Sequence, residues 1–223
     1  MNKKLSLMML LLLLQGAVAL YAQDSSLVGF RLEGGAQYAV GAGQGKDLTA
    51  VQPMGGAGIY FNISPRFRAG LDYDYSRMIR EQINGTLEKQ PDGGVAGDVY
   101  SDRKTHFHCM TATGEFNFLP SGPVSLYASA GAGVMLANGN LYTMSIKNEL
   151  KPGGAGNLIQ IKGHNEAHSF VAPVFPVSLS LEYMFIPRVS VCLKGGYRFV
   201  IAGQNEYAPN GQAFALLGLR FNL

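Results

Sequence analysis

Val189-Ser190-Val191-Cys192-Leu193-Lys194-Gly195-Gly196-Tyr197-Arg198-Phe199-Val200 alternates without a break. Val189, Val191, Leu193, Gly195, Tyr197 and Phe199 share one face, and Ser190, Cys192, Lys194, Gly196, Arg198 and Val200 share the other. A period of two residues belongs to a β-strand with chemically distinct faces. Both cations, Lys194 and Arg198, stand on the second face.

Seven further stretches repeat the pattern, with their charges confined to one face up to the terminal Arg77 of one of them. They run Val28 to Val40, Met54 to Ile63, Phe67 to Arg77, about His106 to Phe118, Val124 to Leu136, about Phe175 to Phe185, and Ala213 to Leu223. The uncharged face is continuous across all eight, so the charges are enclosed. A closed sheet that is apolar outside and charged inside suits a lipid bilayer. The expected fold is all-β, an eight-stranded antiparallel up-and-down transmembrane β-barrel. A lipocalin-like soluble carrier would need the opposite arrangement, an apolar lumen and a polar exterior.

The connections alternate in length. Ser64-Pro65-Arg66, Leu119-Pro120-Ser121-Gly122-Pro123 and Ile186-Pro187-Arg188 are short turns, whereas residues 41–53, 78–104, 137–168 and 201–212 are longer. Outer-membrane barrels place short turns in the periplasm and longer loops outside. The longer segments are therefore assigned to the outer side. Val95 to Tyr100 and Leu158 to Ile161 have the composition of hairpin extensions, while Asn84-Gly85, Pro91-Asp92-Gly93-Gly94 and Pro152-Gly153-Gly154 punctuate the loops.

The N-terminus fits an exported protein. Asn2-Lys3-Lys4 precedes an apolar run from Leu5 to Leu14, followed by small residues and Gln23-Asp24-Ser25-Ser26. This is the pattern of a signal peptide, residues 1–22, cleaved after Ala22 or, by the Ala-x-Ala rule, after Ala19. Residues 23–223 then form one barrel domain. The leading run is too short to span a bilayer, and no later apolar run approaches a membrane helix. The net charge of +3 and the lack of a basic cluster interleaved with aromatics exclude a nucleic-acid partner.

Five cations (Arg31, Arg68, Lys194, Arg198, Arg220) and five anions (Glu33, Asp72, Asp74, Glu115, Glu182) face the lumen on this reading. An eight-stranded barrel has room for little more than side chains. The balance predicts mutual pairing in a filled polar core rather than an ion pathway, which would leave one sign in excess.

The strand-turn-strand pieces carry a resemblance. Ile59-Tyr60-Phe61-Asn62-Ile63-Ser64-Pro65-Arg66-Phe67, Ser125-Leu126-Tyr127-Ala128-Ser129-Ala130-Gly131-Ala132-Gly133 and Leu179-Ser180-Leu181-Glu182-Tyr183 resemble the small outer-membrane β-barrel domain proteins of the Bacteroidota. The likeness spans nearly the whole chain after residue 22. It implies an OmpA-type transmembrane fold of the porin family and no particular activity. It also implies a C-terminal strand ending in an aromatic residue that the barrel assembly machinery reads. Here Phe221 is third from the end and Leu223 is last.

Candidate chemistry is sparse. His106, His108, His164 and His168 all fall toward the outer side, with ligand types suited to zinc or copper but no signature spacing, so solvated histidines are the plainer expectation. Cys109 and Cys192 both point inward at different heights, which predicts free thiols rather than a disulfide. Ser76, Ser101 and Ser169 lie near histidines along the topology, yet no motif joins them. The serine-after-histidine pattern of lipid A deacylases is absent from His106-Phe107-His108-Cys109. No catalytic, cofactor-binding or metal residue is assigned, and no cofactor is expected.

The expected function is that of a non-enzymatic integral outer-membrane protein. Its outer loops would serve surface interaction or envelope integrity, with an extracellular ligand that no residue names. A small-solute channel and a rim enzyme acting on outer-membrane lipid are the alternatives. Expected partners are outer-membrane lipid and, during insertion, the barrel assembly machinery, with the chain a monomer.

Overall fold

The computed structural model describes residues 27–40, 51–83, 88–89, 95–150, 157–201 and 209–223. Those residues form nine strands: β1 (Val28–Val40), β2 (Val51–Asn62), β3 (Phe67–Ile83), β4 (Glu88–Lys89), β5 (Val95–Asn117), β6 (Val124–Leu150), β7 (Asn157–Ile186), β8 (Val189–Val200) and β9 (Gly211–Asn222). Their order is β3-β2-β1-β9-β8-β7-β6-β5-β4, and β3 also pairs with β5. That last pairing closes a ring of eight antiparallel strands, with the two-residue β4 added on β5. The expected eight-stranded up-and-down barrel is the observed fold.

The chain divides into two compact units. One holds residues 1–76, 108–135 and 171–223; the other holds residues 77–107 and 136–170.

The first unit is the barrel. Its outward face is apolar and exposed, with Leu32, Ile59, Leu71, Leu179, Leu193 and Leu217 each more than half accessible. In water this surface would be a severe liability; in hydrocarbon it is the stabilising face. Aromatics bracket it. Phe30 stacks on Phe221, and Phe67 meets Phe116, which meets Phe118, at the short-turn end. Tyr38, Tyr73, Tyr75, Phe175, Tyr197 and Phe199 stand at the other end. Phe30 to Tyr38 and Phe67 to Tyr75 are each eight residue steps apart. At ~3.3 Å per residue and a tilt of ~40°, that gives a band about 20 Å tall, close to the ~25 Å expected of such barrels.

The short turns follow their sequences. Ser64 Oγ accepts from Phe67 N at 3.0 Å, and Phe67 N also donates to Ser64 O at 3.2 Å. Asn117 Oδ1 accepts from Leu119 N at 2.9 Å, and Gly122 supplies the left-handed φ of 107° that this turn needs. In the third turn Arg188, not a glycine, takes a φ of 70°.

The second unit is sheet as well. β3, β5, β6 and β7 are longer than their alternation predicts: β5 starts at Val95 rather than near His106, β6 runs on to Leu150 rather than ending at Leu136, and β7 begins at Asn157 rather than near Phe175. Much of what reads as the long polar segments 78–104 and 137–168 is therefore strand. In these stretches neither face is uniformly apolar, so the alternation disappears from the sequence while the strands persist. Leu158 to Ile161 and Val95 to Tyr100 are indeed strand residues. The signal segment 1–22, Asn84-Gly85, Pro91-Asp92-Gly93-Gly94 and Pro152-Gly153-Gly154 lie outside the described residues.

Candidate functional site

The barrel interior is an ion-pair lattice. Arg31 reaches Asp72 through Nε at 2.8 Å and through a second guanidinium nitrogen, and it also bonds Glu115. Glu115 is shared, since Arg68 donates to it and Arg220 lies 3.4 Å away. Glu182 joins Arg68 and Arg220 from the β7 side. Lys194 Nζ sits 3.4 Å from Glu33, and Arg198 donates to Asp74 and, at 3.0 Å, to Gln212 Oε1. All ten enclosed charges thus have an opposite partner, as their balance predicts. Guanidinium forks suit this role because each distributes donors to two carboxylates at once.

Neutral groups complete the lattice. The Arg68 guanidinium lies 3.5 Å from the Tyr127 ring centroid and 5.1 Å from that of Tyr60. Tyr60 OH donates to Asn222 Oδ1 at 2.8 Å, and Thr113 Oγ1 donates to Asp72 at 3.0 Å. Inward glycines make the room. A Cβ at Gly58 would strike the Asp72 carboxylate and stand 3.1 Å from Arg31 Nε; one at Gly218 would stand 2.8 Å from Glu33 Cγ. Glycines read singly give no hint of this, because the large partner sits on a neighbouring strand.

Two layers adjoin the charges. Gln37 Nε2 donates to Gln52 Oε1 at 3.0 Å and to Ser76 Oγ at 2.7 Å. Nearer the ends of β1 and β8 that lie away from the short turns, the inward residues turn apolar: Ala39, Cys109, Met135, Ala172, Val174 and Val200 are all buried. Met54, Phe214 and Leu216 form a smaller apolar cluster in the same interior. The lumen is filled with ion pairs, amides and apolar groups, which is the interior of a packed structural barrel.

The singled-out residues separate. His108 faces outward, its Nδ1 2.8 Å from Tyr73 OH and its ring 5.2 Å from that of Tyr75. His168 faces inward within the second unit, with Nε2 2.9 Å from Thr105 Oγ1. Burial and the nearby Arg103 cation push the His168 pKa down. His164 is exposed and His106 half-buried. Among the described residues no three His, Cys, Asp or Glu side chains gather as a metal site would require. Cys109 and Cys192 are buried and free, and the Cys192 thiol points at Glu33 Oε1, 3.7 Å away. Ser76 is a buried acceptor for Gln37 rather than a nucleophile beside a histidine.

The second unit has its own local order. Ser145 Oγ donates to Asp98 at 2.7 Å, and Phe107 meets Phe170 edge-on. Lys104 Nζ lies 2.7 Å from Asp102, a bond that raises the lysine pKa. The Tyr142 ring covers Gly163, a glycine shielded by a cross-strand aromatic.

No family model and no curated protein matches the chain. Among solved structures it is similar to Neisserial surface protein A, NspA, at 16% identity, covering 90% of this chain and 100% of that one with a TM-score of 0.51. That likeness shows the fold alone, and it agrees with the lipid-facing surface already described. The chain is an outer-membrane β-barrel. Two further similar structures are Ail, the attachment invasion locus protein of Yersinia pestis, solved with the heparin analogue sucrose octasulfate, and a major outer membrane protein from Thermus thermophilus. Ail is 15% identical, with 87% and 98% of the two chains covered and a TM-score of 0.47. The Thermus protein is 9% identical, with 88% and 99% covered and the same TM-score.

Proposed function

We propose that this barrel is a non-enzymatic surface protein of the small Bacteroidota type, whose outer strands and loops mediate surface interaction or support envelope integrity. The observation that carries this reading is the lumen. Ten charges neutralise one another and apolar side chains follow them, which leaves the outer residues as the functional surface. Binding on such barrels resides on segments held by a rigid scaffold. The first 22 residues act as the export signal, and outer-membrane lipid and the assembly machinery are the partners of insertion.

The test begins with the chain refolded in detergent. A band whose mobility shifts only on boiling, together with no unitary conductance in planar bilayers, is the expected result. Stepwise conductance would replace this reading with a small-solute channel. Altered acylation of lipid A in a deletion strain, seen by mass spectrometry, would replace it with a rim enzyme.

A further inference from the structure

The outward faces of the strands end differently. Val40 on β1, Val51 on β2 and Ile201 just past β8 are exposed and keep theirs apolar to the outer end. β3 and β5 carry cations instead. Arg77 follows Tyr75 by two residues on the outward face of β3, and Lys104 precedes His108 by four on that of β5. Both side chains are exposed, and the two strands pair. Arg77 stands close enough for its charge to oppose that of Lys104. Asp102 lies 2.7 Å from Lys104 Nζ, so these three groups sum to a single positive charge.

Their depth follows from the tyrosines. Aromatic girdles mark the boundary of the hydrocarbon. Two residues at ~3.3 Å each, on a strand tilted ~40°, carry the chain about 5 Å past Tyr75. The polar zone of a leaflet is about 5–7 Å deep, so Arg77 falls where lipid phosphates lie.

We propose that Arg77 and Lys104 together hold the phosphate group of an outer-leaflet lipid. The proposal rests on the envelope-integrity reading and gives it a ligand, since a barrel that grips leaflet phosphates ties itself to the surrounding lipid. A phosphate suits the pair. Its oxygens take the planar guanidinium fork and the compact ammonium charge at once, and an anion between two cations removes their repulsion. An outer-leaflet lipid presents that phosphate at this depth and at high local concentration, which a free anion in solution does not.

The test uses the full barrel in detergent, checked for its heat-modifiable band, with phosphorylated lipid A as the probe and native mass spectrometry as the readout. Arg77→Gln and Lys104→Gln should each weaken binding about fivefold and the double variant about twenty-five-fold, the increment of a cation beside an anionic lipid taken once and twice. Arg77→Lys, which keeps the charge, should lose less than Arg77→Gln. Asp102→Asn should tighten binding, because it leaves Lys104 to the phosphate. Lys162→Gln, which removes an exposed cation from β7, should have no effect. Losses in Arg77→Gln and Lys104→Gln no larger than in Lys162→Gln would overturn the proposal. So would undiminished binding of dephosphorylated lipid A, which would mean that acyl chains alone are recognised. Inorganic phosphate bound as tightly as the lipid would overturn it too, because the site would then serve a free anion. If the variants bind like the parent while the heat-modifiable band persists and no conductance appears, this site alone is wrong and the surface-protein reading stands.

Discussion

Glu182 and Glu166 stand sixteen residues apart on the one strand β7, in opposite circumstances. Glu182 is buried between Arg68 and Arg220; Glu166 is exposed on a run whose every side chain is exposed. The same residue type on the same strand is a structural ion in one place and a solvated charge in the other. Enclosure makes the difference. Where the ring closes around a side chain, its charge requires a partner; where the sheet meets water, solvent supplies one. The barrel should therefore be sensitive to single charge deletions and the second unit should tolerate them.

The sharpest way to break that contrast is Glu115→Ala. It leaves Arg31, Arg68 and Arg220 short of a shared carboxylate, and stranding a buried charge costs about 3–5 kcal/mol. Urea unfolding in detergent should show the midpoint fall markedly, or the heat-modifiable band should fail to form. Glu166→Ala in the same assay should shift the midpoint little. Equal effects would mean that the lumen is hydrated and the lattice loose.

The outer face offers a second test. Leu217 is 61% exposed midway along β9, flanked by Leu193 on β8 and Gly34 on β1. Leu217→Arg should cost about 2–4 kcal/mol in lipid, the depth-dependent cost of a cation near the bilayer midplane. The measurement is unfolding in phospholipid vesicles. An indifferent result would put that face in water and revive the soluble-carrier alternative.

The barrel was legible in the sequence because two constraints coincide there. A period of two fixes which side chains face inward, and lipid on one side with a closed lumen on the other forces the two sets to differ in charge. β1 and β8 carry both constraints throughout, and their observed bounds match those read from alternation. The continuation of β6 past Leu136 carries only the first: Asn138, Asn140 and Tyr142 are exposed but do not form an apolar face, so a strand reads as a loop. The balance of lumen charges was legible too. Which carboxylate meets which guanidinium was not, because the choice depends on strand shear and on inward glycines such as Gly58 opposite Asp72. The individual surroundings of the four histidines were not legible either: His108 faces outward to Tyr73, and His168 is buried and faces inward to Thr105 rather than standing solvated.

The second unit should respond to pH through His168. Its pKa lies below the usual ~6.5 of an unfolded histidine, so at intermediate pH the open state binds more protons than the closed one. Stability from this group is present above ~6.5 and is lost as pH falls through the depressed value. Hydrogen exchange, corrected for intrinsic rate, should quicken around Thr105 and His168 as pH drops below ~6, with the barrel amides unchanged. His168→Gln should abolish the local response.

The smallest expected effect lies in the turns. Gly122 and Arg188 both take left-handed φ, at 107° and 70°, but only Arg188 bears a side chain there. A Cβ in that region costs about 1–2 kcal/mol, whereas glycine adopts it freely and gives back part of the gain as unfolded-state entropy. The backbone bond from Asn222 N to Arg188 O, 2.8 Å, does not depend on the side chain. Arg188→Gly sets relief of that strain against loss of the side chain's own interaction, so the barrel's stability should change by less than about 1 kcal/mol, read as a small shift of the urea midpoint, upward where the strain is the larger. Destabilisation instead would mean that the Arg188 side chain holds more than the turn's strain costs. The charge contrast between the enclosed and open parts of β7 would then extend to the short-turn rim.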